Sequence, residues 1–327
     1  MPVPDPMEQY VHPTPPSRLR RLWTSIRAWF DSDAGPDARG NPKAIDVARI
    51  VPFIGIHLAC LGVFWVGVSR AALYCALAMY LLRMFAITGF YHRYFSHKAF
   101  RTSRVAQFVF AALGAMAVQR GPLWWAAHHR HHHAHSDRPD DAHSPRQHGF
   151  LWSHMGWFLA RGNYRADTKR ISDLLQYPEL RWLDRYDIAM PILLAIGLFI
   201  AGALLHRFAP EQHTSGSQFL VWGFFVSTVA CYHATYTINS LSHALGRRRY
   251  RTPDDSRNNI WLALLTLGEG WHNNHHHYPK SARQGFYWWE IDLTYYALRA
   301  LSWLGIIWDL QPVPATVRNS RRFESST

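Results

Sequence analysis

Four long apolar runs constrain this chain more than any other feature of its 327 residues. No charged residue occurs from Ile50 to Val68, and only Arg83 interrupts the run from Ala71 to Gly89. Two further runs cover Ile188–Leu205 and Phe219–Asn239. At ~1.5 Å of rise per residue, each run is long enough to cross a hydrocarbon core of ~30 Å as a helix. The pattern predicts an all-α integral membrane protein with four transmembrane helices arranged as two hairpins.

Basic residues outnumber acidic ones, at 35 Lys and Arg against 22 Asp and Glu, which gives a net charge of +13. In a two-hairpin arrangement every Lys and Arg except Arg70, Arg83 and Arg207 lies on one side, and Arg83 can extend toward that side. By the positive-inside rule that side is cytoplasmic, together with both termini. A soluble protein with four buried helices would not explain this asymmetry. Charge alone would suggest a nucleic-acid-binding protein, which the apolar runs exclude.

The regions outside the apolar runs suggest simple boundaries. Residues 1–43 are rich in Pro, Arg and Asp, without the apolar core of a signal peptide, which predicts a polar, partly disordered cytoplasmic tail. The membrane domain is expected over residues 44–310 and a C-terminal tail over residues 311–327. The uncharged run Val105–Val118 is too short to span a bilayer, so an interfacial or buried helix is expected there.

Histidine is unusually frequent, and eleven of the 21 His fall in three clusters: HRYFSH from His92, HHRHHH from His128 and HNNHHH from His272. Each cluster lies beside the end of an apolar segment on the predicted cytoplasmic side. In the spacing HxxHH, positions i, i+3 and i+4 share one face of a helix. That face would carry His129, His132 and His133 in the second cluster and His272, His275 and His276 in the third.

His92 and His97 are five residues apart, about 140° around an α-helix, which favours the end of the second run. Together the clusters supply eight imidazoles, too many for one ion, so two metal ions are predicted. Imidazole suits Fe, Zn, Cu and Ni rather than Mg or Ca. The three Cys are scattered in apolar runs, and a structural zinc site usually includes Cys. The clusters therefore predict a catalytic, redox-active metal centre, most simply of iron.

Five other His are less easily assigned. For His131, His135 and His277 the sequence does not decide between a position that supports the ligands and an exposed position. His57 and His233 lie alone within apolar runs, where an ionisable residue is often functional. A neutral imidazole hydrogen-bonded between helices is the favoured interpretation for both.

The chain resembles the membrane-bound fatty acyl desaturases of the stearoyl-CoA Δ9 type, in their bacterial and plant-like branch. The resemblance covers most of residues 45–310 in order and rests on TGFYHRYFSH (88–97), WWAAHHRHHHAHSDRPDDAHSP (124–145), GFLWSHMGW (149–157), NSLSH (239–243) and GEGWHNNHHHYP (268–279). It implies a cytoplasmic helical cap that holds a di-iron centre, in a protein of the bacterial inner membrane.

The resemblance also implies a ligand set of nine His and one Asn that binds through water. Carried over by position, the set is His92, His97, His129, His132, His133, Asn239, His243, His272, His275 and His276. His128, His131 and His132 also satisfy HxxHH, and the register of His129 is chosen because the family pattern is HRxHH, with Arg130 after the first ligand. Asp141, His143 and Glu269 are expected to orient the ligands, whereas Asp137 and Asp140 are undecided between that role and surface charge.

The implied activity is the O₂-dependent insertion of a cis double bond, Δ9 by analogy, into a saturated acyl chain, with two electrons from an external donor. A closed apolar tunnel that fixes the depth of the chain would select the bond. Acyl-CoA is the preferred substrate, although Ala127 and His128 replace the Arg–Asp pair whose Arg contacts CoA in animal members. Acyl chains linked to membrane phospholipid are the alternative.

A ferredoxin or cytochrome b5-like donor with its reductase is expected as partner, because the sequence contains no haem-binding segment and no Cys run for an iron–sulfur cluster. An acidic donor would suit the basic surface. A related di-iron lipid hydroxylase or alkane monooxygenase would share the metal ligands but insert oxygen. A metal transporter is disfavoured, because its ligands would lie within the spans, near the midplane.

Overall fold

The computed structural model describes residues 18–34 and 41–323, and most of these are helical. In chain order the helices are α1 (Arg18–Phe30), α2 (Val47–Ala59), α3 (Val63–Val66), α4 (Arg70–Phe85), α5 (Arg104–Ala115), α6 (Pro122–His135), α7 (Pro145–His148), α8 (Trp157–Leu159), α9 (Pro178–Arg185), α10 (Ala189–Phe208), α11 (Gly216–Gln218), α12 (Ser227–Ser240), α13 (Ile260–Leu265), α14 (His272–His277), α15 (Leu293–Trp303) and α16 (Ala315–Asn319). Three π-helical segments cover Ala86–Ser96, Trp152–Gly156 and Phe219–Val226. Strand β1 (Arg101–Thr102) pairs antiparallel with β2 (Ile307–Trp308).

The four predicted runs are confirmed as helices long and apolar enough to cross a membrane. We call them span one (Arg49–Val66), span two (Arg70–Ser96), span three (Ala189–Phe208) and span four (Gly216–His243). Spans two and four extend beyond their apolar runs, and each extension carries one predicted ligand histidine, His92 in span two and His243 in span four. The short run near residue 105 forms α5, a twelve-residue apolar helix, as its length suggested.

Span four packs against spans two and three, and Arg83 of span two lies in the first of these contacts. The expectation that Arg83 extends toward the membrane surface is wrong, because its side chain is 1% exposed. Its guanidinium donates hydrogen bonds to the hydroxyls of Thr228 and Ser227 on span four. These acceptors replace water for a buried cation, which explains why the side chain can stay between the helices.

Local signals in the sequence fix several helix starts. Ser69, Ser103 and Asp292 precede α4, α5 and α15, and each side chain accepts a hydrogen bond from the backbone N–H three residues on. Such caps satisfy N–H groups that have no partner within the helix. Pro122 begins α6, where the absence of its N–H costs nothing.

A buried apolar core joins the π-helical end of span two to α5, α6 and α9. The rings of Phe90 and Phe110 stack with centroids 3.8 Å apart. Gly114 of α5 lets this helix approach span two closely, because a Cβ there would lie 2.0 Å from Tyr91. The core thereby holds the first and second histidine clusters in a fixed relation.

The predicted terminal tails contain ordered structure where they are described. Residues 1–17 and 35–40 lie outside the described residues, so the predicted tail over 1–43 stays a prediction there. Residues 18–30 form α1, and Asp31 beyond it pairs with Arg185 at 2.9 Å. At the other end, Tyr250 donates a hydrogen bond to the carbonyl of Arg318 in α16. The predicted domain boundaries at residues 44 and 310 remain predictions.

Candidate metal centre

Five imidazoles from all three clusters meet in one buried group, which we call group one. Its members are His92, His97, His129, His133 and His275. The Nε2 atoms of His97 and His129 are 2.7 Å apart. Nε2 of His275 lies 3.0 Å from that of His92 and 2.9 Å from that of His133. Residues far apart in sequence thus point the same ring atom at one small volume.

Four further imidazoles form a second group, which we call group two. Its members are His132, His243, His272 and His276. The Nε2 atoms of His243 and His272 are 3.0 Å apart. The two groups adjoin each other, since the rings of His133 and His276 have centroids only 4.5 Å apart. This arrangement offers two neighbouring sites for metal ions, the number that the sequence predicted.

Helices α6 and α14 each supply ligand candidates to both groups. In α6, His129 and His133 face group one, and His132 faces group two. In α14, His275 faces group one, whereas His272 and His276 face group two. The HxxHH spacing therefore brings its three imidazoles together at the junction of the groups rather than around a single ion.

A π-helical turn explains how His92 and His97 reach the same group. The segment Ala86–Ser96 is π-helical, and the N–H of His97 donates to the carbonyl of His92, five residues back. A π-helix is wider than an α-helix, so positions i and i+5 approach one another. The two rings have centroids 4.9 Å apart, which α-helical geometry alone did not predict.

Four carboxylates contact the Nδ1 atoms of four of these imidazoles. The pairs are His92 with Glu269 at 2.5 Å, His132 with Asp141 at 3.0 Å, His243 with Asp137 at 2.8 Å and His276 with Asp254 at 2.7 Å. Each carboxylate holds the proton on Nδ1 and leaves the Nε2 lone pair facing the centre of its group. Asp254 carried no recognisable signal in the sequence.

The histidines fit a metal centre by their spacing. An ion with nitrogen ligands at ~2.1 Å and right angles between them holds neighbouring nitrogens ~3.0 Å apart, close to the Nε2 separations in both groups. Nε2 of His276 is buried without a hydrogen-bond partner among the described residues. Lone pairs turned toward each other in this way repel unless a cation lies between them.

The protonation states also suit metal binding. Burial and neighbouring imidazoles lower the pKa of His129, His133, His272 and His275 well below the ordinary value. These rings are therefore neutral at physiological pH and can donate a lone pair. A set of imidazoles without thiolate suits Fe, Zn, Cu or Ni.

The structure separates His128 from His129. His129 lies in group one, whereas the ring of His128 packs on Trp124 and Trp157, with centroids 4.3 and 5.6 Å away. This placement agrees with the register taken from the HRxHH pattern. Arg130, within the second cluster, pairs with Asp173 and donates to the carbonyls of residues 95 and 96, which fastens α6 to the end of span two.

The remaining predicted residues lie around the two groups. The His143 ring is 4.3 Å from that of His132, and its Nδ1 is 3.8 Å from Asp141. Asn239 lines the cavities described below, beside His129. The side chains left open by the sequence contact backbone carbonyls instead: His131 that of Asp140, His135 that of His131 and His277 that of Val317.

The two isolated histidines of the spans contact each other. Nε2 of His57 lies 3.3 Å from Nε2 of His233, and the other nitrogen of His57 contacts the carbonyl of Phe53. Nδ1 of His233 lies 3.0 Å from Nε2 of His154. Both residues are thus hydrogen-bonded between helices, the interpretation favoured from the sequence.

Comparison with known proteins identifies the family to which this centre belongs. The model of the fatty acid desaturase family matches residues 51–304. The chain belongs to the fatty acid desaturase family. It is 37% identical over 272 residues to the sn-1 stearoyl-lipid 9-desaturase of Anabaena variabilis, covering 82% of this chain and 95% of the relative.

Relatives of this desaturase act on different carriers, according to their names. The chain is 35% identical to an acyl-CoA 5-desaturase of Anemone leveillei, with 85% of this chain and 83% of the relative covered. It is also 35% identical to the chloroplastic palmitoyl-monogalactosyldiacylglycerol delta-7 desaturase of Arabidopsis thaliana, with 85% and 72% covered. Membership of the family therefore makes the protein an oxidoreductase but does not fix its acyl carrier.

Two cavities in this desaturase meet beside group one. The outer cavity, of about 220 Å³, has a lining that includes Trp29, Arg49, Phe158, His129 and Asn239. The inner cavity, of about 40 Å³, shares four lining residues with the outer one: Trp125, His129, Thr235 and Asn239. Its other lining residues are apolar or hydroxyl side chains (Met84, Ile87, Thr88, Ile238 and Thr266) and polar side chains of the metal centre (His92, His132, Glu269 and His272). The sequence predicted an apolar tunnel but not which residues line it.

Two arginines, Arg49 and Arg120, line the outer cavity. Arg49 stacks on the ring of Tyr164, and its Nη2 has no hydrogen-bond partner among the described residues. Arg120 lies 3.4 Å from the carboxylate of Asp187. Arg49 in turn lies 3.5 Å from Asp46, so both arginines of the outer cavity are paired with carboxylates, and most of the remaining lining is apolar.

Proposed function

We propose that this protein is an O₂-dependent acyl desaturase that introduces a cis double bond into a saturated acyl chain at a centre of two iron ions. The observation that carries the proposal is the junction of the two cavities with group one. A hydrocarbon chain lying through both cavities would pass directly beside His129 and Asn239.

The proposed ligands divide between the two irons according to the two groups. Group one would hold the first iron with five imidazoles, and group two the second with four. Asn239, which lines the cavities, would complete the second site through a water molecule. When bound, the irons supply the activation of O₂ that removes two hydrogens from adjacent methylenes.

The protein's own residues would position the reactants. The carboxylates on Nδ1 fix the direction of each Nε2 lone pair. Gln119 donates a hydrogen bond to Thr235 at 3.0 Å, and both line the outer cavity close to its junction with the inner one. Because neighbouring methylenes are chemically alike, the depth to which the chain enters selects the bond, for which we propose Δ9.

The acyl carrier is proposed to be CoA, with lipid-linked chains as the alternative. Nη2 of Arg49, which has no hydrogen-bond partner among the described residues, supports a carrier with phosphate groups, which CoA and phospholipids share. The names of the relatives cover both classes. Assaying the purified enzyme on stearoyl-CoA and on a distearoyl phospholipid in nanodiscs would decide between them.

The proposed topology follows from the charge distribution. Spans one and two would form one hairpin and spans three and four the other, with a helical cap around the metal centre and both termini in the cytoplasm. The protein would lie in the bacterial inner membrane. Electrons would come from a ferredoxin or cytochrome b5-like donor with its reductase, on the cytoplasmic side.

Expression in a desaturase-deficient host tests the proposed activity. Fatty acid methyl esters from cells with the wild-type protein should contain a monounsaturated acid, and those from cells with His275→Ala should not. A hydroxylated acid would instead identify the related lipid hydroxylase. If neither product forms although the protein is present in the membrane with iron bound, the proposed function is wrong.

A further inference from the structure

A dense group of arginines lies at a surface cavity of about 780 Å³ whose lining includes Trp271, the residue before α14. We call it the arginine face. Its members are Arg247, Arg248, Arg249, Arg251, Arg257, Arg318, Arg321 and Arg322. They come from two segments joined by backbone hydrogen bonds, from residue 251 to 321 and from 323 to 249.

Two aromatic rings hold most of these guanidinium groups together. Arg249, Arg318 and Arg322 lie over the ring of Tyr287, at 4.6, 5.4 and 5.6 Å from its centroid. Arg248 and Arg251 lie over Phe323 at 5.6 and 5.5 Å. The cations are therefore concentrated on one surface despite their mutual repulsion.

Few carboxylates balance this charge. Glu290 pairs with Arg249, and Asp255 lies 4.0 Å from Arg248. Among the described residues, the guanidinium groups of Arg247 and Arg321 have no hydrogen bond or ion pair. Concentrated, unbalanced positive charge at an exposed surface attracts an anionic partner and speeds its association.

One residue that lines the cavity is adjacent in sequence to a candidate metal ligand. Trp271 lines the cavity and immediately precedes His272 of group two. The side chain of Asn273, the next residue, accepts hydrogen bonds from the backbone N–H groups of Arg249 and Tyr250 at 2.8 and 2.7 Å. Trp271 alone thus lies between the arginine face and His272 of the candidate centre.

We propose that the arginine face is the docking surface for an acidic one-electron carrier protein, whose electrons reach the metal centre by way of Trp271. This inference rests on the proposed function, because a desaturase requires electrons from outside. Per turnover, two reduced carriers each lose one electron, two protons come from water, and the acyl chain loses two hydrogens. O₂ takes up these electrons, protons and hydrogens and leaves as two water molecules.

Charge reversal tests the docking surface. The full-length enzyme in zwitterionic nanodiscs is mixed with a reduced, acidic [2Fe–2S] ferredoxin in the absence of O₂. The recovery of the visible absorbance as the ferredoxin is oxidised gives the rate of electron transfer. We expect the double variant Arg247→Glu, Arg322→Glu to lower the second-order rate constant at least tenfold at low salt and to flatten its salt dependence. The control Arg161→Glu, Lys169→Glu carries the same change of charge on exposed residues elsewhere and should retain the wild-type rate.

A substitution at Trp271 tests the route. At saturating ferredoxin, Trp271→Leu should transfer electrons at least fivefold more slowly than Trp271→Phe, which keeps an aromatic ring, with equal iron content in both. Equal rates in these two variants would contradict the route, and a wild-type rate in the double arginine variant would contradict the docking surface. If the double variant keeps the ferredoxin rate but loses binding to vesicles containing phosphatidylglycerol, the face binds lipid head groups and the proposal is wrong.

A chemical reductant separates this inference from the proposed function. Enzyme reduced by dithionite and then exposed to O₂ needs no protein donor, so the double arginine variant should form the wild-type amount of alkene in one turnover. If the wild type itself forms none under these conditions, the proposed function fails. If the wild type forms alkene after dithionite reduction, but charge reversal leaves the ferredoxin-dependent reaction at the wild-type rate, the docking surface is wrong and the proposed function stands.

Discussion

Oε2 of Glu269 lies 2.5 Å from Nδ1 of His92, while its other carboxylate oxygen accepts a hydrogen bond from Arg93 at 3.0 Å. Arg93 is also held by Asp292 at 2.9 Å, and all of these side chains are buried. Arg93 thus holds the Glu269 carboxylate in place, and this carboxylate orients the imidazole of His92. The proton stays on Nδ1 of His92, and Nε2 faces group one.

Replacing Glu269 by Gln should weaken iron binding without removing a ligand. We expect Glu269→Gln to lower the iron affinity about 10- to 100-fold, the usual effect of losing such a partner. The fraction of iron that the protein retains at graded chelator concentrations measures this affinity. Asp140→Asn is the control, because that carboxylate has no hydrogen bond or ion pair with the described residues. Wild-type iron retention in Glu269→Gln would contradict the orienting role.

The adjacent pair His128 and His129 allows a direct test of the ligand set. His129→Ala should lose iron, because it removes a member of group one, whereas His128→Ala should keep it. Metal analysis of the two purified variants distinguishes them. Loss of iron in His128→Ala together with retention in His129→Ala would show that the other register is correct.

The sequence predicts the histidines of the site better than their supporting residues. The HxxHH spacing places three imidazoles on one face whatever the rest of the fold does. Asp254, by contrast, contacts His276, which is 22 residues away in sequence, and lies in a polar segment without a motif. Its role depends on how the segment after span four folds back on α14, which only tertiary structure decides.

The positions of the four spans were likewise predictable from the sequence, whereas their contacts were not. Hydropathy located all four helices, because burial in lipid demands a long uninterrupted apolar run. It did not show that Arg83 bonds to hydroxyls of span four, since that depends on the rotation of both helices. Nor did it show the π-helical turn at His92, because local sequence does not distinguish it from an α-helical turn.

A partly buried carboxyl at the start of α6 gives a prediction about pH. Burial raises the pKa of Asp184 to about 6 from its ordinary value of 3.8, while its Oδ1 accepts from the N–H groups of Leu123 and Trp124. The folded state therefore binds this proton more tightly than the unfolded state. The resulting stabilisation is present below pH 3.8 and is lost as the pH rises through about 6.

Asp184→Asn should consequently stabilise the protein at neutral pH, since the amide oxygen can still accept both hydrogen bonds. We expect a gain of up to about 3 kcal/mol in the free energy of unfolding at pH 7.5 that shrinks toward pH 4. Thermal unfolding of both proteins in detergent across this range measures the difference. The exposed Asp33→Asn should show no such trend, and a gain independent of pH in Asp184→Asn would contradict the explanation.

The inner cavity predicts a change in chain-length preference. Thr88 lines it and hydrogen-bonds to Thr294 at 2.7 Å. Thr88→Phe should fill this space, so that activity on a long acyl chain falls at least tenfold relative to that on a shorter one. Thr88→Val, which keeps the volume, should retain the wild-type preference. The two activities are compared at equal iron content, and an unchanged preference in Thr88→Phe would place the end of the chain elsewhere.

A single turnover of purified protein tests the central claim most directly. The iron-loaded enzyme is reduced by dithionite with a saturated acyl substrate, exposed to O₂, and analysed for bound iron and by mass spectrometry of the acyl product. We predict two irons per chain and a product that has lost two hydrogens, with neither in a variant carrying both His129→Ala and His275→Ala. A product that has gained an oxygen atom, or no product from protein holding two irons, would contradict a desaturase.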